Sequence, residues 1–433
     1  MDPAGDPQAT NDRAGGFAGA LGSGYHHTQP RPRVRMPGSA DTPARVAPQE
    51  SEIMTRSTIL GSGFGALTAV REVRKKKLDA EITLVSPNNH LTYLPSLIWM
   101  PSGIRKARDL DIDLGRFFAR ERVTWHQGKV ASVRDGGRTV ETEAGEVLTN
   151  DFLVIATGGR YLKKLPGLAE HAIIPCEGIA MGQRVHDRLA EMDGGTVALG
   201  FGTNPKEPSA VRGGPMFEFL FGIDTLLRRQ GRRDKFKLVF FNGAERPGQR
   251  LGEKSVDRLL AEMRRREIDI RIGAKPTRME ADKVVTEREE IATDLILFMP
   301  GLTGPLWLDN TDLPRSPGGF VQADEKARVV GEDWAGTYVV GDTGSYPGPG
   351  WLAKQAHQAD LQAEAAVANI ADQMAGRAPS HDFKSELVCI VDTVNKGILV
   401  YRSEKFSVTL PQMRVAHWAK RTFEGHYLRA YRK

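Results

Sequence analysis

The sequence predicts an α/β fold of two interleaved domains, each built on a parallel sheet, with a small module at the C-terminus. Three observations predict it. Residues 57–60 form a short apolar strand that breaks into glycines at Gly61 and Gly63 and resumes at helical spacing from Thr68. A second apolar strand ending in glycine, at 196–200, starts a similar pattern about 138 residues later. Further apolar strands follow at 151–156, 294–299 and 337–340.

Each element follows from its local pattern. The helix after Gly63 leads to Glu81-Ile82-Thr83-Leu84-Val85, a strand that completes a β–α–β unit. Short alternating segments at 123–125, 129–133 and 138–141 read as an antiparallel meander. The apolar strand 151–156 ends in Thr157-Gly158-Gly159. In the second domain, strands at 196–200, 237–241 and 269–272 flank a helix over 254–266. Its apolar residues Val256, Leu259, Leu260 and Met263 recur at helical spacing. A long helix runs from about 350 to 374, and the last fifty residues hold strands near 387–391 and 397–401 before an amphipathic helix. The first domain is therefore expected to comprise 54–160 and 296–380, the second 161–295, and the module 381–433. Residues 1–53, rich in Gly, Pro, Ala and Asp and without hydrophobic periodicity, read as a disordered tail. Met54, directly before the first strand, is an alternative translation start.

Composition narrows the classes. No apolar run reaches the roughly 18 residues that a membrane-spanning helix needs. Two cysteines, Cys176 and Cys389, cannot build a disulfide framework, and their scarcity fits a reducing compartment. The net charge of +6 is local, because the last twenty residues carry six cations against Glu424 alone. A basic tail of this kind suits an anionic membrane surface. No nucleic-acid recognition motif accompanies it. The arginine runs at 228–233 and 264–266 read as solvated helix ends, where cations complement the dipole. His26-His27 lacks the spaced partners of a metal site, and no metal is expected.

The Gly61 turn carries the most specific chemistry. Gly61 permits the tight turn, Gly63 lets backbone approach a pyrophosphate, and Ala66, beside Gly65, lets helix and strand pack closely. The helix N-terminus would then hold the pyrophosphate on unpaired N–H groups. The residue expected to meet the ribose, at the end of the second strand, is Ser86, which carries no charge. Thr157 and Gly158 bring the chain back to the same ligand. In Tyr338-Val339-Val340-Gly341-Asp342 an acid follows an apolar strand and a glycine, where it can accept from a ribityl hydroxyl.

With these three segments in this order, the chain resembles the two-dinucleotide-domain flavoproteins. Within them it is similar to the sulfide:quinone oxidoreductase and flavocytochrome c sulfide dehydrogenase branch, from residue 56 to 433. The resemblance implies two Rossmann-like (FAD/NAD(P)-binding) domains, FAD as cofactor, and a C-terminal region for membrane attachment and quinone. Leu94-Pro95-Ser96 falls where that branch passes a Pro-Ser beside the flavin, and Lys354 falls on its flavin-site lysine. Cys389 matches the C-terminal redox cysteine and Cys176 the auxiliary first cysteine. The usual partner of the C-terminal cysteine precedes a Gly-Pro-aromatic segment, and here Gly213 stands in its place. Either Cys176 substitutes as partner to Cys389, or the enzyme oxidises something else. Lys420 and Phe423 match the quinone-pocket lysine and phenylalanine, while Ile390 replaces an aromatic found in some relatives.

The resemblance thus implies an FAD-dependent oxidoreductase that passes two electrons from sulfide or a related sulfur donor, through cysteine and FAD, to membrane quinone. It would work peripherally on the cytoplasmic face of the membrane, and a homo-oligomer is a possible assembly. Two alternatives stand beside it. A type II NADH:quinone oxidoreductase shares the fold but needs a second glycine fingerprint. After 197–200 only Gly200 and Gly202 survive, and Pro205 and Pro208 remove backbone donors and delay the helix to about Pro215. The other alternative is a flavin-binding scaffold that has lost catalysis. In the last helix, Val415, Trp418, Ala419, Thr422, Phe423, His426 and Tyr427 share one face, suited either to lipid headgroups or to docking on the chain's own body.

Overall fold

A computed structural model describes residues 54–432; the tail 1–53, with its histidine pair, and Lys433 lie outside the described residues. From the start, β1 (Thr55–Leu60) turns into α1 (Phe64–Lys75), followed by β2 (Ala80–Ser86), β3 (Val123–Gln127) and β4 (Phe152–Ile155). The second set is β5 (Ala172–Ile173), β6 (Gly195–Phe201), α2 (Gly214–Arg229), β7 (Phe236–Asn242), α3 (Glu253–Arg265), β8 (Asp269–Ile272) and β9 (Leu295–Met299). The chain then returns as β10 (Thr337–Val339) and α4 (Ala356–Met374).

Two five-stranded sheets result, ordered β10-β4-β1-β2-β3 and β5-β9-β6-β7-β8, and every pairing in them is parallel. Strands inside such sheets are buried on both faces, which is why β6 and β9 read as unbroken apolar runs. α1 packs against α4, where Thr68 donates to Asp360 at 2.6 Å, and its Ala66, Ala69, Val70 and Val73 are interior. In the first sheet the chain steps from β1 to β2 and β3 on one side, then adds β4 on the other. That reversal opens a crevice at the carboxyl end of β1, where ligands of such sheets bind.

Four expectations change in detail. Leu295–Met299, expected to belong from 296 onward to the first domain, instead pairs with β6 inside the second sheet. Residues 123–127 do not join the meander but extend the first sheet in parallel, Ile82 opposite Val123. The meander is Val130–Arg134, Thr139–Thr142 and Val147–Thr149. A half-buried edge strand alternates in the same way as a meander strand, so periodicity cannot separate them. The long helix starts at Ala356, after the run Pro347-Gly348-Pro349-Gly350, so Lys354 lies in the loop before it.

The C-terminal module is an antiparallel sheet of β11 (Glu386–Asp392), β12 (Gly397–Ser403) and the short β13 (Ser407–Thr409), followed by α5 (Arg414–Arg432). No helix among the described residues is long and apolar enough to cross a membrane.

Candidate active site

The glycine turn has the geometry its sequence implies. Gly61 has φ +106°, and a Cβ there would stand 2.4 Å from the Ala156 carbonyl oxygen, so only glycine fits. A Cβ on Gly65 would come 2.7 Å from Val340 Cγ2, and Ala66 is fully buried, which brings α1 down onto the sheet. Gly63 is different: nothing lies within 4 Å of its Cβ position. It caps α1 without a side-chain hydrogen bond, and the first turn carries no acid. The free N–H groups therefore face open space, the arrangement that receives an anion.

That space belongs to a cavity of about 1970 Å³ between the two sheets and the C-terminal module. Gly63, Gly65, Pro95, Gly158 and Gly341 line it on the side of the first sheet. Ser86 does not. Its hydroxyl donates to the Asn88 carbonyl at 2.6 Å and accepts from Trp125 Nε1 at 3.0 Å. The residues facing the cavity there are Pro87, Asn88 and His90. The serine fails as a ribose anchor because β3, unforeseen as its neighbour, brings Trp125 against it. Thr157 also turns aside, within 3.3 Å of Trp307 Nε1 and 3.4 Å of Thr343 Oγ1, leaving Ala156 and Gly158 on the wall.

Asp342 follows Gly341, whose φ of +71° turns the chain at the end of β10. Arg212 Nη2 donates to Asp342 Oδ2, which leaves Oδ1 for a hydroxyl donor. Burial works against the Arg212 cation, but Asp342, Tyr161 and Cys176 together outweigh it and the net direction is up. Lys354 Nζ donates to the carbonyls of Gly344 at 2.6 Å and Asp342 at 3.2 Å, and lies 3.8 Å from the centre of the Phe320 ring. Burial pulls this ammonium down to about 8, against the opposing pull of Asp342 and Glu207. No carboxylate pairs with it directly, so it has charge to offer a ligand.

Cys176 and Cys389 line the same cavity, and both are free thiols. They are not linked to each other. Burial pushes the Cys389 thiol up to about 12, with Glu218 adding to the rise and Lys420 opposing it. Cys176 is likewise pushed up to about 12 by burial, with Arg212 as the main opposing charge. Both therefore rest protonated, and reactivity requires a base. Of the two neighbouring glycines, geometry favours Gly214 over Gly213 for a bridge to Cys389. A Cβ on Gly213 would stand 2.6 Å from the Phe201 ring, whereas one on Gly214 faces Cys389 Sγ at 3.8 Å. Gly214→Cys is expected to close a disulfide with Cys389, and Gly213→Cys is not. Thiol titration of the unfolded, unreduced variants checks this: one free thiol in the first, three in the second. Three in the first would contradict the geometry.

The cavity carboxyl missed by sequence reasoning is Glu218, on α2 between Phe217 and Phe219. It lines the cavity, accepts from Lys420 Nζ, and accepts from the Asp392 N–H at 2.8 Å. Burial pushes it up to about 7, with Lys420 holding it down. An acid inside the run Met216-Phe217-Glu218-Phe219-Leu220-Phe221 is the available signal, since its flanks must be interior. Lys420 points inward, donating also to the Ile390 carbonyl at 3.1 Å, and so is lost from the exposed charge of the tail.

α5 is two-faced. Ala416, His417, Glu424, Leu428 and Tyr431 face the body, and Arg105 clamps Glu424 at 2.8 and 3.0 Å. The opposite face leaves Val415 72%, Trp418 61% and Phe423 58% exposed. One face of the helix therefore docks on the body and the other is exposed. Phe423, Ala419 and Tyr427 also line the cavity, so its wall reaches the exposed face of the helix. Among the described residues no cluster of three or more metal-ligating side chains occurs.

These features fit FAD: an uncapped helix end for the pyrophosphate, Asp342 Oδ1 for a ribityl hydroxyl, and the uncompensated Lys354 cation for the ring. Residues 55–363 match the family model described as pyridine nucleotide-disulphide oxidoreductase. The chain is 25% identical over 260 residues to the sulfide-quinone reductase of Aquifex aeolicus, covering 57% of this chain and 58% of that relative. The match thus spans less than two thirds of that relative. Its fold is similar to the solved sulfide:quinone oxidoreductase of that bacterium, with TM-score 0.79, 21% identity, and 87% and 91% of the two chains covered. It is also similar to NDH2 from Plasmodium falciparum in complex with NADH, with TM-score 0.68, 13% identity, and 88% and 96% covered. Dinucleotide turn, interleaved sheets and family match agree, and the chain belongs to the pyridine nucleotide-disulphide oxidoreductase family.

Proposed function

We propose that the chain is an FAD-dependent oxidoreductase of the sulfide:quinone type, passing two electrons from sulfide or a related sulfur donor to membrane quinone. The observation that carries this reading is that Cys389 and the Glu218–Lys420 pair line the same cavity as the dinucleotide turn, Asp342 and Lys354. When bound, FAD supplies a two-electron store between sulfur and quinone. The chain's own residues do the rest. The start of α1 seats the pyrophosphate, and Asp342 accepts from the ribityl chain. Lys354 favours negative charge where the ring lies. Glu218 takes the proton from the Cys389 thiol, and the Lys420 ammonium steadies the thiolate. Glu218 later returns a proton to quinone held near Phe423 and Lys420. Arg212 plays for Cys176 the part that Lys420 plays for Cys389.

NADH is disfavoured as donor by the loop after β6. A Cβ on Gly202 would meet Phe298 at 3.2 Å, and α2 begins only at Gly214. The helix therefore starts well after the end of β6, and Pro215 in its first turn removes one of the N–H groups that a pyrophosphate would need. Anaerobic mixing tests the donor. Sulfide is expected to bleach the bound flavin, and added quinone to restore its colour. Bleaching by NADH with no response to sulfide would reverse the assignment.

The exposed face of α5, flanked by Arg414, Arg421 and Arg429, supports peripheral attachment to an anionic bilayer, on the cytoplasmic side, with quinone entering beside Phe423. Val415→Glu with Trp418→Glu should weaken binding to vesicles containing phosphatidylglycerol by at least about tenfold, since each apolar side chain contributes about 1.5–3 kcal/mol when buried. Unchanged co-sedimentation with such vesicles would refute the attachment.

A further inference from the structure

We infer that Arg250 forms an anion-binding subsite in the cavity, for the carboxylate or sulfur oxyanion of a sulfur-bearing substrate; this deepens, and rests on, the proposed sulfur chemistry. Arg250 lies in a 3₁₀ turn, Gln249–Leu251, bounded by Gly248 at φ +85° and Gly252 at φ +94°. The turn is held on all sides. Arg402 Nη1 donates to the Arg250 carbonyl at 3.1 Å, Ser255 Oγ donates to the Leu251 carbonyl at 2.7 Å, and Leu251 is buried. A Cβ on Gly248 would stand 3.1 Å from the Phe217 ring, so the backbone rests directly on α2.

Arg250 lines the cavity, and both terminal nitrogens of its guanidinium are buried without a hydrogen-bond partner. Arg212, Lys420 and Arg266 are matched by Asp342, Glu218 and Asp224, and the Lys354 ammonium at least donates to two carbonyls. Arg250 has no such carboxylate, and burial alone pushes it down to about 10. Burying a charged fork unpaired is costly, so its retention inside a rigid turn points to a partner that arrives from solution. Arg402 lines the same wall, and Arg250 bears electrostatically on Lys354, so this wall carries surplus positive charge. A guanidinium offers two parallel N–H groups that match the paired oxygens of a carboxylate or sulfur oxyanion. Hydrosulfide has no such pair.

The test uses the full-length, FAD-loaded protein in anaerobic calorimetric titrations with thiosulfate and with mercaptoacetate, and with mercaptoethanol as the uncharged comparison. At least one of the two anions should bind, and the one that does identifies a sulfur oxyanion or a carboxylate as the ligand group. Arg250→Gln should weaken that binding at least tenfold and Arg250→Lys should retain part of it, with no change for mercaptoethanol. The proposal is overturned if neither anion binds the unaltered protein or if both variants bind it as tightly. It is equally overturned if Arg250→Gln loosens FAD while leaving anion binding intact. Sulfide-driven bleaching of the unaltered protein reads the underlying function separately: bleaching without anion binding removes this inference alone, and anion binding without bleaching removes the donor assignment alone.

Discussion

Cys389→Ser is expected to slow sulfide-driven reduction of bound flavin by at least about 10³-fold while FAD stays bound, because in the proposed path its thiolate is the nucleophile that Lys420 steadies. A serine hydroxyl fits the same space on β11, and Cys389 lies apart from the glycine turn, so cofactor retention should not change. Anaerobic stopped-flow absorbance gives the rate, and the flavin content of the purified variant gives the occupancy. An unchanged rate would remove cysteine from the electron path. Loss of rate together with loss of FAD would reduce Cys389 to a structural residue.

The second large effect is expected at Glu218. With its carboxyl pushed up to about 7, Glu218 is half protonated near neutrality, able to take a proton in one half-reaction and return it in the other. Sulfide-driven reduction should therefore rise with pH through about 7, and quinone-driven reoxidation should fall over the same range. Glu218→Gln removes both inflections and should slow reoxidation by about 10²-fold. Equal pH profiles for the variant and the unaltered protein would exclude this role. Stability follows the same linkage. A carboxyl raised from 4.5 to about 7 on folding binds a proton that the unfolded chain releases between those values, so its contribution to stability falls as pH rises through that window. Lys420→Met, which strips the cation from a carboxylate whose side chain is 6% exposed, should cost about 3–5 kcal/mol above that window and less below it. Urea unfolding at two pH values checks the sign.

Much of this was legible in the residues themselves. Gly61, Gly63 and Ala66 announce a turn whose requirements are local, one strand and one helix, and the structure meets each of them. Asp342 stands out at a recognisable strand end, whereas Lys354 is marked only by the resemblance, and it lies in the loop before the helix it was expected to join. What pattern could not show was side-chain partnership across the fold. Ser86 was expected to meet a ribose, yet a neighbouring strand 39 residues away brings Trp125 to its hydroxyl. Glu218 and Lys420 lie 202 residues apart, and neither reads as a buried ion-pair member until α2 and α5 are set against β11. Gly213 illustrates the same limit at finer grain, because one residue of helix phase decides which glycine faces Cys389. The two-faced character of α5 was half visible. Its apolar stripe stands out in sequence, but that stripe is the exposed face, while His417, Glu424 and Tyr431 make the contacts with the body.

The most direct measurement is a crystal structure of the FAD-loaded protein. The Cys389 sulfur should lie at attack distance, about 3–3.5 Å, from the isoalloxazine ring, with Lys354 at the ring's edge and the pyrophosphate on the start of α1. An isoalloxazine bound with Cys389 on the far wall of the cavity, or turned instead toward the loop after β6, would contradict the sulfur path.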